Sequence, residues 1–515
     1  MKHLFIILFL SILALTIHGY QFAVSDQEIS IPIILKSYDN SLFQNDLLLN
    51  QSFQKTSISY GLAALLMNFA KLQTIFFIGY VIFQFIFFFS IFRLAKVFLK
   101  DSKLAYLSLL PFFLPKFIGG TANFTFDTFF GHRTVGLIFL IFFLIYLLEK
   151  KLLKATVVAL LGIWVHPLST IPSLMLLPVF ILKNRKAASI IKIILISVLI
   201  LLPYLFFSRT DSPILPNLRD QQWLSILKLR APYLFQSLWN QRGWLSLGLY
   251  VTLIFLFVGD LKRETKRSLV LIIVTSLLIF TANYLFLDIA KIPAIGQFQL
   301  VRSVFPLAYL GLVLSPFFLI EKKSFLRIFG VITFVALSLN LFIVLVPSIL
   351  IFAAIKLLSK PKIKNYVTTN FTLSIFILFF SLYLFLNIDS YNQLSSKIQF
   401  PKRNNDWIDL QLWALDNTKP DDVFLVPPQQ TGFRVFSKRP IVGDIKDGAA
   451  VIYNPIYATY WSTLMTQTIN YEDLKREDFE RLAKKYEFDY FVTLSEKILN
   501  GEIIYKNNSF TVHKF

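Results

Sequence analysis

The sequence predicts a mainly α-helical polytopic membrane protein of GT-C-like type, with a small α/β domain at its C-terminal end. Three observations carry that expectation. Of the 515 residues, 56% are hydrophobic and only 16% charged, with a mean hydropathy of +0.63. Apolar runs of helical length recur from residue 4 to residue 388, and the chain is polar from there to its end. Such a composition excludes soluble, disordered and fibrous classes. There is no cysteine, so disulfides, thiolate metal sites and cysteine nucleophiles are excluded as well.

A bilayer core of about 30 Å takes roughly 20 apolar residues in helical form, because a helix closes its own backbone hydrogen bonds. About thirteen runs fit that need: 4–19, 74–95, 104–118, 134–148, 155–166, 168–182, 189–207, 245–261, 268–287, 304–320, 328–344, 347–358 and 367–388. Pro111, Pro115, Pro172, Pro178 and Pro347 fall inside several of them, where a missing N–H breaks or kinks a helix. The first run follows Lys2 and no small-x-small cleavage pattern succeeds it, so it reads as a retained signal anchor. Residues 1–388 thus form a transmembrane domain with a long first external loop at 20–73, and 389–515 an extracytoplasmic domain.

The charge distribution orients these runs. Residues 1–388 hold 35 Lys and Arg against 13 acids, and residues 389–515 hold 16 against 17. One alternate set of short loops carries 23 of the basic residues and five acids. Basic loops stay in the cytoplasm, which puts the N-terminus inside the cell membrane and the C-terminal domain outside. Because the net charge of +21 is spread between apolar runs and forms no single stripe, the expected partner is the lipid bilayer and no nucleic acid.

Candidate chemistry lies in the outer loops, which are longer than connectors need to be. The first loop contains Asp26, Glu28, Asp39 and Asp46. The second, GGTANFTFDTFFGHR, contains Asp127, with His132 and Arg133 at the mouth of the next helix. Residues 208–244 add Arg209, Arg219, Arg230 and Arg242, and GQFQLVR brings Gln299 and Arg302 to a helix entrance. Carboxylates can act as general bases or bind a hard divalent ion such as Mg or Mn, with Asp46 and Asp127 the candidate ligands. Arginine clamps phosphate through a planar fork. His166, before Pro167, interrupts an apolar stretch as a turn residue or a substrate-binding one.

This arrangement resembles the GT-C superfamily of polytopic membrane glycosyltransferases. DNSLFQND (39–46), HPLST (166–170), LRAPYLF (229–235), QFQLVR (297–302) and FLVPPQQTGFRVFSKRPIVGDIK (424–446) are similar to segments of uncharacterised prokaryotic GT-C-like multi-pass proteins. The resemblance implies a polyprenyl-phosphate sugar donor and an acid of the first external loop at the active site. By position, Asp39 or Asp46 matches that acid and Asp127 the acid of the second loop. A tight Asp-x-Asp pair and a WWDYG-type signature are missing, which argues against protein N-glycosylation and leaves metal dependence open.

In the C-terminal domain, DWIDLQLWALDN reads as an amphipathic helix, DVFLVP as a buried strand, and RVFSKRPIVGD as one or two strands. YEDLKREDFERLAKKY reads as a charged helix, FDYFVTL as a core strand, and EIIYKNNSFTVHKF as a hairpin. Gln429, Gln430, Arg434, Lys438 and Arg439 sit on a loop after a strand, where α/β sheets bind ligands.

The expected function is transfer of a hexose or pentose from a polyprenyl-phosphate donor to an acceptor at the extracytoplasmic face. Asp46 or Asp39 serves as base, Asp127 assists, and Arg302 with Arg230 holds the phosphate, with His166, Arg133 and Gln299 lining the substrate site. The alternatives are a transporter or lipid flippase, against which the nearly charge-free helix centres speak, and a non-catalytic scaffold with an external domain.

Overall fold

Continuous runs of Phe, Leu and Ile fold as helices, the one form that satisfies every backbone group within a single apolar segment. The computed structural model describes residues 2–50, 57–184, 187–207, 220–321, 324–358, 398–399, 405–497, 499 and 502–515. Among these, four helices are long and apolar enough to cross a membrane: Leu72–Phe98, Gln241–Val258, Arg263–Ile289 and Leu300–Ile320. Seven shorter apolar helices accompany them, at Lys2–His18, His132–Leu148, Leu152–Val165, Pro167–Leu182, Ile190–Pro203, Leu326–Ser338 and Phe342–Lys356.

Two of the thirteen expected spans are interrupted at or beside a proline. The run at 104–118 breaks into Ser102–Leu107 and a single 3-10 turn at Leu110–Phe112, with Pro111 and Pro115 removing donors. The run at 168–182 divides into Pro167–Leu174 and Leu177–Asn184, each with a proline at its start, where a helix tolerates one. The expected span at 367–388 and the domain boundary at 389 lie outside the described residues.

The long first loop is itself structured. It opens with strand β1 (Tyr20–Gln21), which pairs in parallel with β2 (Ile398–Gln399). Helices α1 (Gln27–Tyr38) and α2 (Ile58–Leu66) follow. The start of the first loop and the approach to the C-terminal domain are thus joined by main-chain hydrogen bonds.

Sheet residues alternate between two small cores, as a period of two requires. The strand order is β3 (Phe424–Leu425), β4 (Tyr490–Leu494), β6 (Phe510–Lys514), β5 (Ile503–Lys506), parallel at the first pair and antiparallel after it. Phe424, Tyr490, Val492 and Val512 pack with Leu410 and Ala414 of helix Asp406–Asn417. Leu425 and Phe491 pack on the other side with Phe479 and Leu482 of helix Arg476–Tyr486. The strand expected within RVFSKRPIVGD is instead a short helix, Phe433–Ser437, followed by a single bridge from Ile441 to Phe424. Left-handed residues at Gly432 (φ 80°) and Lys438 (φ 53°) turn the chain at both ends of that helix.

One part of this region belongs to the helix bundle. Val435, Ala450, Val451, Ile452, Tyr457 and Trp461 are buried in the same core as the long helices. Trp223 fixes the contact by donating its indole N–H to the Val451 carbonyl at 2.7 Å.

Close backbone approach sets the position of the second loop. A Cβ on Gly243, near the start of Gln241–Val258, meets the Gly120 Cα at 2.8 Å, whereas a Cβ on Gly248 of the same helix meets nothing within 4 Å. Gly243→Ala is expected to cost about 1–3 kcal/mol by forcing the loop away. Gly248→Ala is expected to be neutral or to stabilise by up to about 1 kcal/mol through helix propensity. Thermal unfolding of the two variants in detergent checks the contrast, and equal effects would refute the close approach.

Candidate functional site

The site begins at a turn the chain makes at some cost. Ala23 (φ 62°) and Ser25 (φ 54°) are both left-handed without being glycine, a conformation worth roughly 1 kcal/mol or more of strain each. Gln27 holds the turn: its side-chain carbonyl accepts from the Ala23 N–H at 2.7 Å and its amide donates to the Phe130 carbonyl at 2.8 Å. Asp26 stands at the start of α1 but its carboxylate makes no capping bond there. That leaves both oxygens for side chains across the turn.

The partners come from two other segments. Arg133, in the first turn of His132–Leu148, forms an ion pair with Asp26, its Nη1 2.9 Å from Oδ2. Its other edge forms a two-bond fork with Asp127, Nε to Oδ2 at 2.9 Å and Nη2 to Oδ1 at 2.8 Å. Lys446 reaches Asp26 Oδ1 at 3.3 Å from the C-terminal region. Asp127 is placed by its backbone, whose carbonyl accepts from the buried Tyr80 hydroxyl at 3.0 Å. The loop before it is a small hairpin, in which Thr125 N–H donates to the Lys116 carbonyl and Ile118 N–H to that of Asn123, each at 2.9 Å.

These groups line a cavity of about 360 Å³ together with Arg230, Tyr233 and Arg302. Pro115, Phe124, Phe126 and Phe129 form its apolar wall. Arg302 is 93% buried, and its Nε and Nη1 find no hydrogen-bond partner among the described residues. Arg230 uses Nε on the Ile445 carbonyl at 3.2 Å. The cavity thus holds two carboxylates bridged by one arginine and three further cations, an excess of positive charge that suits an anion. Two of its lining residues, Ser25 and Ala122, are left-handed without being glycine.

The two carboxyls differ in environment. For Asp26, enclosure by the protein pushes the pKa up, but Arg133, Lys446 and His132 pull it down further, and it ends below the ordinary carboxylate range. For Asp127, burial raises it and the Arg133 fork only partly offsets that. Opposed shifts in neighbouring acids are a pattern found where groups divide acid and base roles.

Residues 405–463 match a family described as a domain of unknown function, DUF6798. No curated protein matches the chain. The matched stretch contains both Arg434 and Lys446.

Of the residues picked out in the sequence, Asp127, Arg133, Arg230 and Arg302 meet in the cavity. Gln299 lies behind it, its amide donating to the Tyr453 hydroxyl at 3.1 Å. Asp39 is exposed at the end of α1, accepting from the Ser41 N–H at 3.0 Å and hydroxyl at 2.6 Å. Asp46 is fully buried elsewhere: Arg434 donates Nε to Oδ2 at 2.5 Å and Nη2 to Oδ1 at 3.2 Å, and the N–H groups of Ile441 and Leu49 fill the remaining positions. His166 caps helix Pro167–Leu174, its Nδ1 accepting from the Ser169 N–H at 3.1 Å, with its ring 4.8 Å from that of His132. Arg439 closes helix Asp406–Asn417 by donating to the Leu415 carbonyl at 2.8 Å.

The first-loop acid in the cavity is therefore Asp26, and the Asp46–Asp127 pair expected as metal ligands is not assembled. Among the described residues no group of three or more His, Asp or Glu is placed to hold a metal. The donor set also suits a divalent cation poorly, because Asp26 and Asp127 are both committed to Arg133 in a cavity already rich in cations.

Arg434 completes a second cluster by donating Nη1 to Asp447 Oδ1 at 2.8 Å and Nη2 to Oδ2 at 2.9 Å. Arg434→Met leaves Asp46 and Asp447 buried without a countercharge, at an expected cost of about 3–5 kcal/mol. A loss under about 1 kcal/mol in thermal unfolding would refute that role.

Asp444 beside this cluster has its carboxyl pushed well above the usual range, by burial first and by Asp447 second. A raised folded pKa means that stability is lost as pH climbs past the ordinary carboxylate value towards the folded one. Asp444→Asn keeps the side-chain oxygen that accepts from the Lys446 and Asp447 N–H groups, at 2.9 and 3.0 Å, and removes the charge. A flatter stability profile between pH 4 and 8 is expected, read by thermal unfolding in buffers of matched ionic strength.

Proposed function

We propose that this protein is a membrane-embedded, GT-C-like transferase that takes a sugar from a polyprenyl-phosphate donor to a hydroxyl acceptor. In this reading the first helix enters from the cytoplasm and the cavity opens at the extracytoplasmic face of the cell membrane. The observation that carries it is the cavity itself, where a two-carboxylate centre stands beside the unsatisfied Arg302 guanidinium, against a wall of aromatic residues. An anionic head on a hydrocarbon chain answers both halves of that lining.

The chemistry follows from these positions. Asp26 takes the proton of the acceptor hydroxyl, and the acceptor oxygen attacks the anomeric carbon. The bond from that carbon to the phosphate oxygen breaks, the oxygen keeping the electron pair. Arg302 and Arg230 meet the charge that develops on the phosphate, in a recess where water screens it little. Asp127 holds Arg133, and Arg133 holds Asp26 towards the cavity. The charged groups gather in loops and at helix ends and not along a path between helix centres, which favours transfer over transport.

Membranes expressing the chain are expected to turn over radiolabelled polyprenyl-phosphate sugars. Asp26→Asn is expected to reduce the rate about 100-fold or more, while Asp39→Asn leaves it unchanged. Turnover that survives Asp26→Asn would refute the assignment.

A further inference from the structure

Segment 444–449 brings the C-terminal region to the cavity at three points. Lys446 and Ala449 line it, and the Ile445 carbonyl holds Arg230 Nε at 3.2 Å. Gly448 lies so close beneath Arg230 that any Cβ there would strike its Nε and Cδ and the Trp461 ring. The segment is braced from behind. Trp461 donates its indole N–H to the Asp444 carbonyl at 2.9 Å, and Asp447, gripped by Arg434, accepts from the Asp444 N–H at 3.2 Å.

Lys446 therefore has a fixed backbone and a lightly held end. Its backbone N–H donates to Asp444 Oδ1 at 2.9 Å, whereas among the described residues its ammonium has one hydrogen bond, at 3.3 Å to Asp26, with Glu28 adding a weaker attraction and 22% of its side chain exposed. Arg133 contacts the other Asp26 oxygen more closely, at 2.9 Å, and would keep the carboxylate in place without the lysine. A lysine ammonium is a compact charge on a flexible stem and moves between nearby anions at little cost.

We infer that Lys446 is the phosphate-binding residue that the C-terminal region supplies: it leaves Asp26 for the incoming phosphate, so that anion binding and release of the carboxylate are one event. This role rests on the transferase reading above. It gives the matched domain of unknown function a task, closing the cavity with a third cation beside Arg302 and Arg230. It also removes an obstacle to the chemistry, since a carboxylate held by two cations is a poor base until one of them departs.

The test uses the full chain in lipid nanodiscs, titrated with farnesyl phosphate and followed by calorimetry. Wild type is expected to bind, Lys446→Gln to bind about tenfold more weakly for want of one charge-assisted contact, and Lys446→Arg to bind as wild type does. Asp26→Asn is expected to tighten binding by freeing the lysine, and the gain is expected to vanish in the Asp26→Asn/Lys446→Gln double variant. Ala449→Trp fills the cavity from the same segment with every charge in place, and is expected to abolish binding.

Wild-type affinity in Lys446→Gln overturns the role, as does a gain from Asp26→Asn that persists without the lysine. Wild-type affinity in Ala449→Trp puts the phosphate elsewhere and overturns it too. A wild-type protein that binds no farnesyl phosphate brings down the transferase reading and this role together. One that binds it indifferently to Lys446 brings down this role alone.

Discussion

Arg434 is the constraint on which the rest of the arrangement depends. It binds Asp46, 388 residues before it in the chain, together with Asp447, and all three side chains are at least 96% buried. A buried ion cluster adds little net stability, because desolvation consumes most of the attraction. Its effect is on geometry: any other seating of the C-terminal region on the first loop strands a charge in an apolar setting. From Asp447 the constraint passes to the Asp444 turn, and from there to the backbone of Lys446. The position of Lys446 opposite Asp26 is thus fixed by a cluster that does not itself line the cavity.

Local chemistry made some of this legible in the sequence, and long-range pairing hid the rest. The apolar runs announced helices, but whether a proline starts a helix or breaks one depends on its neighbours in space. Pro167 and Pro178 begin helices, while Pro111 and Pro115 end a run in a 3-10 turn and an irregular loop. Asp127, Arg133, Arg230 and Arg302 stood out because each is a charge at the edge of an apolar stretch, and all four reach the cavity. Asp26 and Asp46 could not be told apart in that way. They lie 20 residues apart in one polar loop, and what separates their fates is Arg434, far along the chain. A local signal for Asp26 was available in its place at the start of a helix soon after the first apolar run. Lys446 carried no signal beyond its place as the last residue of segment 424–446.

The short helix Phe433–Ser437 illustrates the same limit. FRVFS is rich in residues that favour strands, yet the left-handed turns at Gly432 and Lys438 close it into a helix that buries Arg434. Tertiary demand for the guanidinium overrides the β preference of Val and Phe, a weak preference in any setting. The same displacement carries Val435 into the bundle core, so the tail is wedged between loop and helices instead of standing apart from them.

The cavity's own energetics point the same way as its charges. Burying a guanidinium with Nε and Nη1 unpaired costs about 1–3 kcal/mol for each missing bond, and the left-handed residues around the cavity add strain. No hydrogen bond among the described residues offsets the cost at Arg302, which has the Phe305 ring beside it at 6.0 Å. The two carboxylates already share Arg133, and Arg230 is turned onto a main-chain carbonyl. What would offset that cost is an anion within reach of Arg302, Arg230 and Lys446, and the aromatic wall opposite adds a second condition. A free inorganic anion would satisfy the arginines alone, whereas a phosphate on a hydrocarbon chain would satisfy them and also cover the half-buried Phe124 ring.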